Sequence, residues 1–502
     1  MSVSAKAEHL DVVIVGAGVS GIGTACHLRA EHPGRSFAIL EARDAIGGTW
    51  DLFRYPGIRS DSDLQTFGYA FKPWTGEKTI ADGPDILRYV RETAREHDVE
   101  RHIRFHHRVE RAEFSTEQAR WTVHVRRTDT GEATTLTCAW LFSAGGYYSY
   151  DAPFDPGLPG TERFAGRIVH PQSWPEDLDY AGKRVVVIGS GATAVTIAPA
   201  MARTAGHVTM LQRSPSYILT LPSEDRIANG LRRLLGDRRG YALARRKNIR
   251  MQAWSYAFAR RRPRLARAVI RALAKRQLPE GYPVDVHFRP RYDPWDQRLC
   301  VVPDGDLFRA IRKGRMTLVT DRIETFTERG LRLASGAELE ADVVITATGL
   351  ALQAFGGVRL SVDGEEVRLP DKLAYKGVML SDVPNFAFAV GYINASWTLK
   401  VDIAARYLCR LLAHMDATGQ DIAVPHNDDP DLRTRPLLDF KANYVQRSVD
   451  QFPRQGDRGP WEQSMRYAHD ARVLLSEPVD DGVMRFARGG ARIAPTADLA
   501  AA

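Results

Sequence analysis

Glycines recur in this chain at a spacing that suits the binding of a nucleotide pyrophosphate. Residues 11–25 read DVVIVGAGVSGIGTA and place Gly16, Gly18 and Gly21 between a strand pattern and a helix pattern. The first glycine allows a tight turn, the second lets the backbone approach the pyrophosphate, and the third lets the helix pack on the strand. The next strand pattern, FAIL, ends at Glu41, whose carboxylate can accept hydrogen bonds from a ribose 2′-hydroxyl. This stretch predicts a first dinucleotide site.

A second copy of the glycine pattern begins at residue 183. The segment KRVVVIGSGATAVTIAPAMA contains Gly189 and Gly191, with Ala194 in the third place. The following strand pattern, HVTML, leads into Gln212-Arg213-Ser214, where the first copy has an acid. Because a guanidinium pairs with a 2′-phosphate that an acid would repel, Arg213 predicts a preference for NADPH over NADH. The alternative is that Arg213 is an ordinary solvated arginine at a strand end.

Two dinucleotide sites in one chain predict an α/β fold with two Rossmann-like domains. We expect FAD on the first site and NADPH on the second, because a nicotinamide hydride has to reach a flavin. At 502 residues the chain is longer than one hydrophobic core usually organises. We predict an FAD-binding domain (1–150 and 351–488), an NADPH-binding domain (151–216 and 298–350), a helical basic insertion (217–297) and a disordered tail (489–502).

Composition excludes several other classes of protein. The cysteines (Cys26, Cys138, Cys300 and Cys409) form no CxxC pair, which argues against a disulfide framework, a redox dithiol or a zinc cluster, and we predict no metal site. No run of 18 apolar residues occurs, so a spanning helix is not expected. The residues before the first strand lack the apolar core of a signal peptide, so we predict a cytoplasmic protein.

The positive charge of the chain is concentrated in the segment 231–277. This segment has sixteen Lys and Arg and one acid, Asp237, which gives it +15 in a chain of +8. Leu265, Val269, Ala272 and Leu273 fall at spacings that share one helix face. Three interpretations stay open: a solvated helical face, peripheral association with anionic lipid, or nucleic-acid binding. The third is the weakest, because no nucleic-acid module accompanies the charge, and we predict no nucleic-acid partner.

One further motif lies directly before the second glycine turn. Phe164-x-Gly166-x-x-x-His170-x-x-x-Trp174-Pro175 resembles the FxGxxxHxxxW(P) fingerprint of type I Baeyer–Villiger monooxygenases. The stretches at 47–63, 170–179, 294–311 and 391–400 resemble the subgroup of that family that activates the thioamide prodrug ethionamide. Physically, the fingerprint suits a hinge and linker, in which Gly166 permits a bend and His170 bridges backbone groups. Direct proton transfer by His170 is the alternative.

The resemblance implies an enzyme that converts ketones to esters or lactones through a flavin C4a-peroxide, and that also oxidises sulfides and thioamides. It implies that Arg298 stabilises the anions formed beside the flavin, with Asp61 orienting its guanidinium; salt-bridge or loop roles are the alternatives. It also places Gly48, Thr49 and Trp50 along the flavin and Trp397 in a loop that closes the flavin site; core positions are the alternative for the two tryptophans. The competing interpretations are a flavin-containing monooxygenase acting on nitrogen or sulfur, and a flavin protein that transfers electrons without oxygenating anything. The natural substrate, its chain length, the regioselectivity and the oligomeric state do not follow from the sequence.

Overall fold

The computed structural model describes residues 7–490, and its central feature is a large sheet built around the first glycine turn. The strands of its main path are, in spatial order, Glu365–Glu366, Arg359–Val362, His107–Ser115, Arg120–Arg127, Ala133–Ser143, His9–Val15, Phe37–Leu40 and Ile103–Arg104. Three short strands, Ala374–Tyr375, Met379–Leu380 and Phe386–Phe388, complete it, the last of them parallel to Ala133–Ser143. The four strands from Ala133–Ser143 to Ile103–Arg104 are parallel, as a Rossmann-like unit requires.

The strand His9–Val15 lies inside this sheet and is covered on both faces. Val12 and Ile14 pack into one apolar core, whereas Val13 and Val15 pack into the other. Alternate side chains of a strand point to opposite faces, so a strand buried on both sides reads as a continuous apolar run such as VVIV. This sheet and its helices form the first unit, whose helices are Val19–Glu31, Thr49–Leu52, Leu64–Phe67, Gly83–Glu96, Trp397–Thr418, Asn443–Gln446 and Tyr467–Leu475.

A second sheet surrounds the second glycine turn, and all of its five strands are parallel. Their spatial order is Met316–Thr320, His207–Gln212, Arg184–Ile188, Val343–Thr346 and Arg167–Val169. The helices Ala192–Met201 and Asp306–Arg312 pack beside it, and a small antiparallel sheet follows, formed by Ile323–Thr327, Gly330–Leu333 and Glu338–Glu340. The α/β class with two Rossmann-like units, predicted from the two glycine turns, is confirmed.

The segment predicted as a helical insertion begins with a strand. Ile218–Leu221 pairs in parallel with Cys300–Pro303, so a two-stranded ribbon ties the two ends of the segment together. The helices between them are Arg226–Arg261, interrupted at Gly236 with φ +76°, then Pro263–Arg276 and Val284–His287. The purely helical prediction for 217–297 was therefore wrong at its start, where the β-branched, apolar run ILTL favours a strand.

The shared apolar face predicted in this segment exists, but it faces solvent. Leu265, Val269 and Leu273 are all exposed, whereas Ala266 and Ala274 are the residues of this helix that are buried. The inward face is made by small residues because the helix packs closely on its neighbours.

The remaining elements are short. They are the two-stranded ribbons Ile422–Pro425 with Met484–Ala487 and Thr434–Pro436 with Arg454–Gly456, and the 3₁₀ turns Glu100–His102, Thr161–Arg163, Pro171–Ser173, Ala354–Gly357, Leu369–Asp371, Val449–Gln451 and Gly459–Trp461. No helix within residues 7–490 is long and apolar enough to cross a membrane. Most of the predicted disordered tail, residues 491–502, lies outside the described residues.

Candidate active site

One large cleft of about 1230 Å³ joins the two glycine turns. Its walls include Gly16 and Gly18 from the first turn, Gly189 and Gly191 from the second, and Arg298. Parallel strands bring their carboxyl ends to one edge of a sheet, and ligands of such sheets bind outside that edge. The volume exceeds the few hundred Å³ that a single small ligand needs, and it suits two extended dinucleotides.

The first turn has the geometry that its glycines predict. Gly16 has φ +100°, and a Cβ atom on Gly21 would lie 1.9 Å from the carbonyl oxygen of Gly16. Gly21 itself lies outside the cleft wall, so it serves helix packing, whereas Gly16 and Gly18 face the cleft. Gly18 is the N-cap of the helix Val19–Glu31, which directs free backbone N–H groups at the site of a phosphate.

The 47–50 segment closes against this turn. Gly48 has φ +55°, and a Cβ atom there would lie 3.2 Å from the Cα atom of Gly18. Thr49 Oγ1 shares a hydrogen bond with a tyrosine hydroxyl at 3.0 Å, and the Trp50 ring meets Phe67 edge-on. A side chain at Gly48 would fill the narrow space between the two backbones, which suits a cradle for a pyrophosphate.

Glu41 lies where the first strand pattern after the turn ends. Its carboxylate is buried, lines the cleft and accepts hydrogen bonds from the backbone N–H of Ala17 at 2.7 Å and of Arg43 at 2.9 Å. A carboxylate has about four acceptor positions, so Glu41 can still accept a hydrogen bond from a ribose hydroxyl.

The second turn repeats this geometry with one difference. Gly189 has φ +136°, and a Cβ atom there would lie 2.2 Å from the carbonyl oxygen of Ala347. Gly191 is the N-cap of the helix Ala192–Met201, and a Cβ atom on it would meet nothing within 4 Å. Ala194 is fully buried and packs the helix on its strand. Gly191 therefore has open space in front of it, which a ligand can use.

Two arginines stand at the carboxyl ends of neighbouring strands at this end of the cleft. Arg213 follows the strand His207–Gln212, and Arg322 follows the adjacent strand Met316–Thr320. Within residues 7–490 no carboxylate lies within ion-pair distance of either guanidinium. The nearby acid Asp321 accepts hydrogen bonds from the backbone N–H of Arg322 and of Ser335. The two cations are therefore available to a phosphate.

Arg298 and Asp61, 237 residues apart in the chain, form an ion pair in the wall of the cleft. Arg298 Nη2 donates to Asp61 Oδ1 at 2.8 Å, and Nε lies 2.8 Å from Oδ2. The Asp61 carboxylate raises the pKa of Arg298 against the opposing effect of burial. About 35% of the Arg298 side chain remains exposed to the cleft. The guanidinium is therefore a fixed positive charge that can touch a bound molecule.

Trp397 connects the cleft to the helix that begins at that residue. Its indole Nε1 donates to Ser20 Oγ at 3.0 Å, and its ring stacks on Tyr147 at a centroid distance of 5.0 Å. These contacts hold the indole in the cleft wall, next to the first glycine turn.

The fingerprint residues do not line the cleft, as far as the described residues define it. Phe164 is buried against Phe326, and Trp174 packs partly against the core of the second sheet. Burial lowers the pKa of His170, whose Nδ1 accepts a hydrogen bond from the backbone N–H of Gln172 at 3.1 Å. Such an acceptor nitrogen belongs to a neutral, structural imidazole.

The interpretation of the fingerprint as a hinge and linker needs correction. Residues Arg167–Val169 form the edge strand of the second sheet, so the middle of the motif is part of a domain. A Cβ atom on Gly166 would lie 2.5 Å from the carbonyl oxygen of Asp342, so this glycine is required for the close approach of the two backbone segments. Pro175 follows at the exit, where its carbonyl oxygen accepts from Leu178.

The cleft residues that sequence reasoning missed include Arg322, Tyr147, Tyr148 and Tyr444. Arg322 could have been found, since it follows the strand pattern MTLVT much as Arg213 follows HVTML. The paired tyrosines also carried a signal, because they directly follow the small-residue turn that ends Ala133–Ser143. Tyr444 comes from a distant short helix, and nothing in its local pattern predicts its position.

The chain is similar to known proteins over nearly its whole length. The model of the flavin-binding monooxygenase-like family matches residues 80–413, and that of an NAD(P)-binding Rossmann-like domain matches residues 14–75. FAD-containing monooxygenase EthA of Mycobacterium tuberculosis is 54% identical over 482 residues, 96% of this chain and 98% of the relative. Probable FAD-binding monooxygenase AlmA of Acinetobacter baylyi is 46% identical over 481 residues, 95% and 96% of the two chains.

Solved structures show the same fold. An oxidised steroid monooxygenase bound to NADP has a TM-score of 0.75 at 22% identity, covering 96% of this chain and 100% of that one. Cyclohexanone monooxygenase bound to ε-caprolactone has a TM-score of 0.72 at 21% identity, covering 95% and 100%. The predicted similarity to FAD-containing monooxygenases of the EthA type is confirmed, and the two solved structures share the fold. The chain belongs to the flavin-binding monooxygenase-like family, and the flavoprotein monooxygenase predicted from the sequence is thereby confirmed.

Proposed function

We propose that this protein uses FAD and NADPH to convert ketones to esters or lactones, and that it also oxidises sulfides and thioamides. The observation that carries the proposal is the Arg298–Asp61 ion pair in a cleft common to both glycine turns. When bound, the two cofactors would supply the hydride and the activation of molecular oxygen. The protein's own contribution is to hold them face to face and to stabilise charge between them.

The two cofactors fit different residues. The flavin dinucleotide would be held by the first turn and the segments closing on it: Gly16, Gly18, Glu41, Gly48, Thr49, Trp50 and Trp397, with Gly21 supporting the turn by helix packing. NADPH would be held by Gly189, Gly191 and Arg213, with Ala194 packing the helix that follows the turn. The close contact of the Gly18 and Gly48 backbones and the open space before Gly191 support this division.

Arg298 would serve the oxygenation of a ketone. Addition of an oxygen nucleophile to a carbonyl group places negative charge on the carbonyl oxygen, and a preorganised cation in a water-poor cleft stabilises it. An arginine suits this role because it cannot lose its proton at physiological pH. Asp61 would orient the guanidinium through its two contacts.

The test is mass spectrometry of products from linear, cyclic and aryl ketones and a thioether, supplied with NADPH and oxygen. We expect an ester or lactone from the wild type, a loss of at least about 100-fold in ketone turnover in Arg298→Ala, and partial recovery in Arg298→Lys. Retained flavin absorbance in the variants shows that they fold. Wild-type ketone turnover in Arg298→Ala would refute this role.

The same assay separates the competing functions. Oxidation of the thioether with no ester from any ketone would favour a nitrogen- or sulfur-directed monooxygenase. NADPH consumption that neither ketones nor the thioether stimulate, without oxygenated product, would favour electron transfer alone.

We further propose that the insertion docks on an anionic membrane surface from the cytoplasmic side, where NADPH is available. Ten of the twelve large apolar side chains found exposed within residues 7–490 belong to its helices: Ile227, Leu234, Leu235, Leu243, Met251, Trp254, Leu265, Val269, Leu273 and Val286. Eight of the ten lie in the segment 231–277 that carries +15, and Ile227 and Val286 flank it, so a second copy would be repelled and an anionic lipid surface attracted.

Co-sedimentation with vesicles tests this docking. We expect binding to vesicles of phosphatidylglycerol and phosphatidylcholine, weaker at high salt, and at least about fivefold weaker for the triple variant L265S/V269S/L273S. Ile168→Ser, which changes an exposed apolar residue outside the insertion, is the matched control. Equal binding to vesicles of phosphatidylcholine alone, or none to either, would refute the proposal.

A further inference from the structure

A cluster of tyrosine hydroxyls lies beside Arg298 in the cleft. The hydroxyls of Tyr147 and Tyr148 share a hydrogen bond of 2.9 Å, and their rings lie 4.3 Å apart. Tyr444 reaches the same place from the short helix Asn443–Gln446, and it interacts electrostatically with both Tyr147 and Arg298. All three phenols line the cleft together with Arg298. We call them the tyrosine cluster.

Tyr148 and Tyr444 are hydrogen-bond donors at neutral pH. Burial and then the neighbouring Tyr147 raise the pKa of Tyr148 and of Tyr444. A protonated phenol has one proton to donate and can also accept. The cluster therefore brings O–H groups next to the guanidinium, with no added negative charge.

A count of protons shows that one of these donors is unused. The hydrogen bond between the Tyr147 and Tyr148 hydroxyls uses one of their two protons, whichever way it runs. Arg298 has no acceptor capacity, so it cannot take the other proton. Within residues 7–490, the side-chain hydrogen bond found for Tyr147 and Tyr148 is the one they share. One O–H group is left for a molecule in the cleft.

The position of Tyr147 is fixed by packing. Its ring stacks on the Trp397 indole with an interplanar angle of 17°, and Trp397 is held in turn by its hydrogen bond to Ser20. A donor on a ring held in this way loses little entropy when it binds an acceptor. The cluster and Arg298 thus form a preorganised set of donors that share one region of the cleft.

We propose that the tyrosine cluster donates a hydrogen bond to the carbonyl oxygen or thiocarbonyl sulfur of the substrate, beside Arg298, and so selects compounds that carry such an acceptor over plain thioethers. The proposal rests on the proposed function and refines its substrate class. A buried donor that loses its acceptor is left unpaired, which is why polar contacts discriminate more strongly than apolar ones.

The first test measures binding without turnover. A lactone has the carbonyl acceptor but is already oxygenated, and its dissociation constant for the FAD-loaded enzyme follows from the change in flavin absorbance. The double variant Y147F/Y148F removes two hydroxyls and keeps both rings. We expect it to bind the lactone about tenfold more weakly. Tyr217→Phe, which removes a phenol bonded to the Tyr292 carbonyl away from the cleft wall, should change binding less than about twofold.

The second test compares two substrates of the same enzyme. In Y147F/Y148F we expect kcat/KM to fall about tenfold or more for a ketone and less than about threefold for a thioether. Equal losses for both would show a structural role of the hydroxyls and overturn the proposal. Lactone binding unchanged in the double variant, or absent in the wild type, would overturn it as well. A wild type that binds the lactone but forms no ester would contradict the proposed function alone.

Discussion

Arg213 is the residue for which sequence and structure predict a measurable preference between cofactors. With Arg322 it forms a pair of cations at adjacent strand ends, so a 2′-phosphate would meet two charge-assisted contacts. Each such contact contributes about 1.5–3 kcal/mol, so Arg213→Ala should raise the KM for NADPH roughly 10- to 100-fold. The KM for NADH and the kcat should change little.

Steady-state kinetics with both nicotinamide cofactors check this prediction. Arg322→Ala should have an effect of the same kind, whereas Arg332→Ala, which removes an exposed arginine paired with Glu338, should have none. An unchanged ratio of NADPH to NADH efficiency in Arg213→Ala would mean that Arg213 is only a solvated strand-end residue.

At the same scale, the sequence predicted the residues of the turns better than those of the reacting centre. Gly21 is required by its close contact with Gly16, five residues away, and Gly16 and Gly189 by their positive φ angles; such constraints within a turn leave a fixed spacing. Arg298 and Asp61 meet across 237 residues, so no spacing rule predicts their contact, and only the family resemblance indicated it.

Two helices of the first unit are joined by an ion pair that makes stability depend on pH. His27 Nε2, on Val19–Glu31, contacts Asp402 Oδ1, on Trp397–Thr418, at 2.8 Å. Burial disfavours the charged ring, but the hydrogen bonds to Asp402 and Glu31 outweigh it and raise the pKa of His27 to about 9. The rise from an unfolded value near 6.5 corresponds to about 3 kcal/mol.

The direction in which stability changes with pH follows from the raised pKa of His27. The stabilisation is fully present below about pH 6.5, where the unfolded chain is also protonated, and it is lost as the pH rises through about 9. We expect His27→Gln to lower the midpoint of thermal unfolding at pH 6.5, and the gap to the wild type to close by about pH 9.5. Arg406 and His97, which are charged or titratable groups near the His27–Asp402 pair, are the same in the variant and the wild type, so the difference in midpoint reports on His27. A gap that is constant between these pH values would contradict the pairing.

The helix Pro263–Arg276 shows what a periodic pattern can and cannot predict. The pattern predicted the helix and its apolar face. That face is exposed, however, and Ala266 and Ala274 form the buried side. Which face packs inward depends on how closely the neighbouring elements approach, and residue hydrophobicity alone does not contain that information.

At the scale of the whole molecule, the insertion is attached to the first unit through backbone carbonyls. Arg245, on Arg226–Arg261, is only 6% exposed, and its Nη1 donates to the carbonyl oxygens of Gln65, Thr66 and Gly68 at 3.0, 3.1 and 2.6 Å. These residues lie at the short helix Leu64–Phe67, whose terminal carbonyls have no partner within the helix. The contacts span about 180 residues of sequence, so the local pattern gave no indication of them.

Around Arg245, the contact between the insertion and the first unit is polar and extends toward the cleft. Asn248 Nδ2 donates to Asp63 Oδ1 at 2.9 Å, and Thr66 Oγ1, which also contacts Asp63, shares a hydrogen bond of 2.6 Å with Ser396 Oγ. Asp63 lies two residues from Asp61, and Ser396 is the N-cap residue before Trp397. The position of the insertion is therefore coupled to both walls of the candidate active site.

Arg245→Met should detach the insertion from the first unit while leaving both sheets folded. The change removes the Arg245 donor from three buried carbonyls, of which that of Thr66 keeps a hydrogen bond from Thr398 Oγ1; each buried carbonyl left unsatisfied costs about 1–3 kcal/mol. We expect proteolysis within 226–276 to become at least about tenfold faster, with NADPH oxidation less tightly coupled to product. Arg245→Lys, which keeps the charge and supplies three N–H donors, should restore part of the resistance. The control Arg246→Met, at an exposed neighbouring position, should be cleaved at the rate of the wild type. Equal cleavage rates of all four proteins would show that Arg245 does not hold the insertion in place.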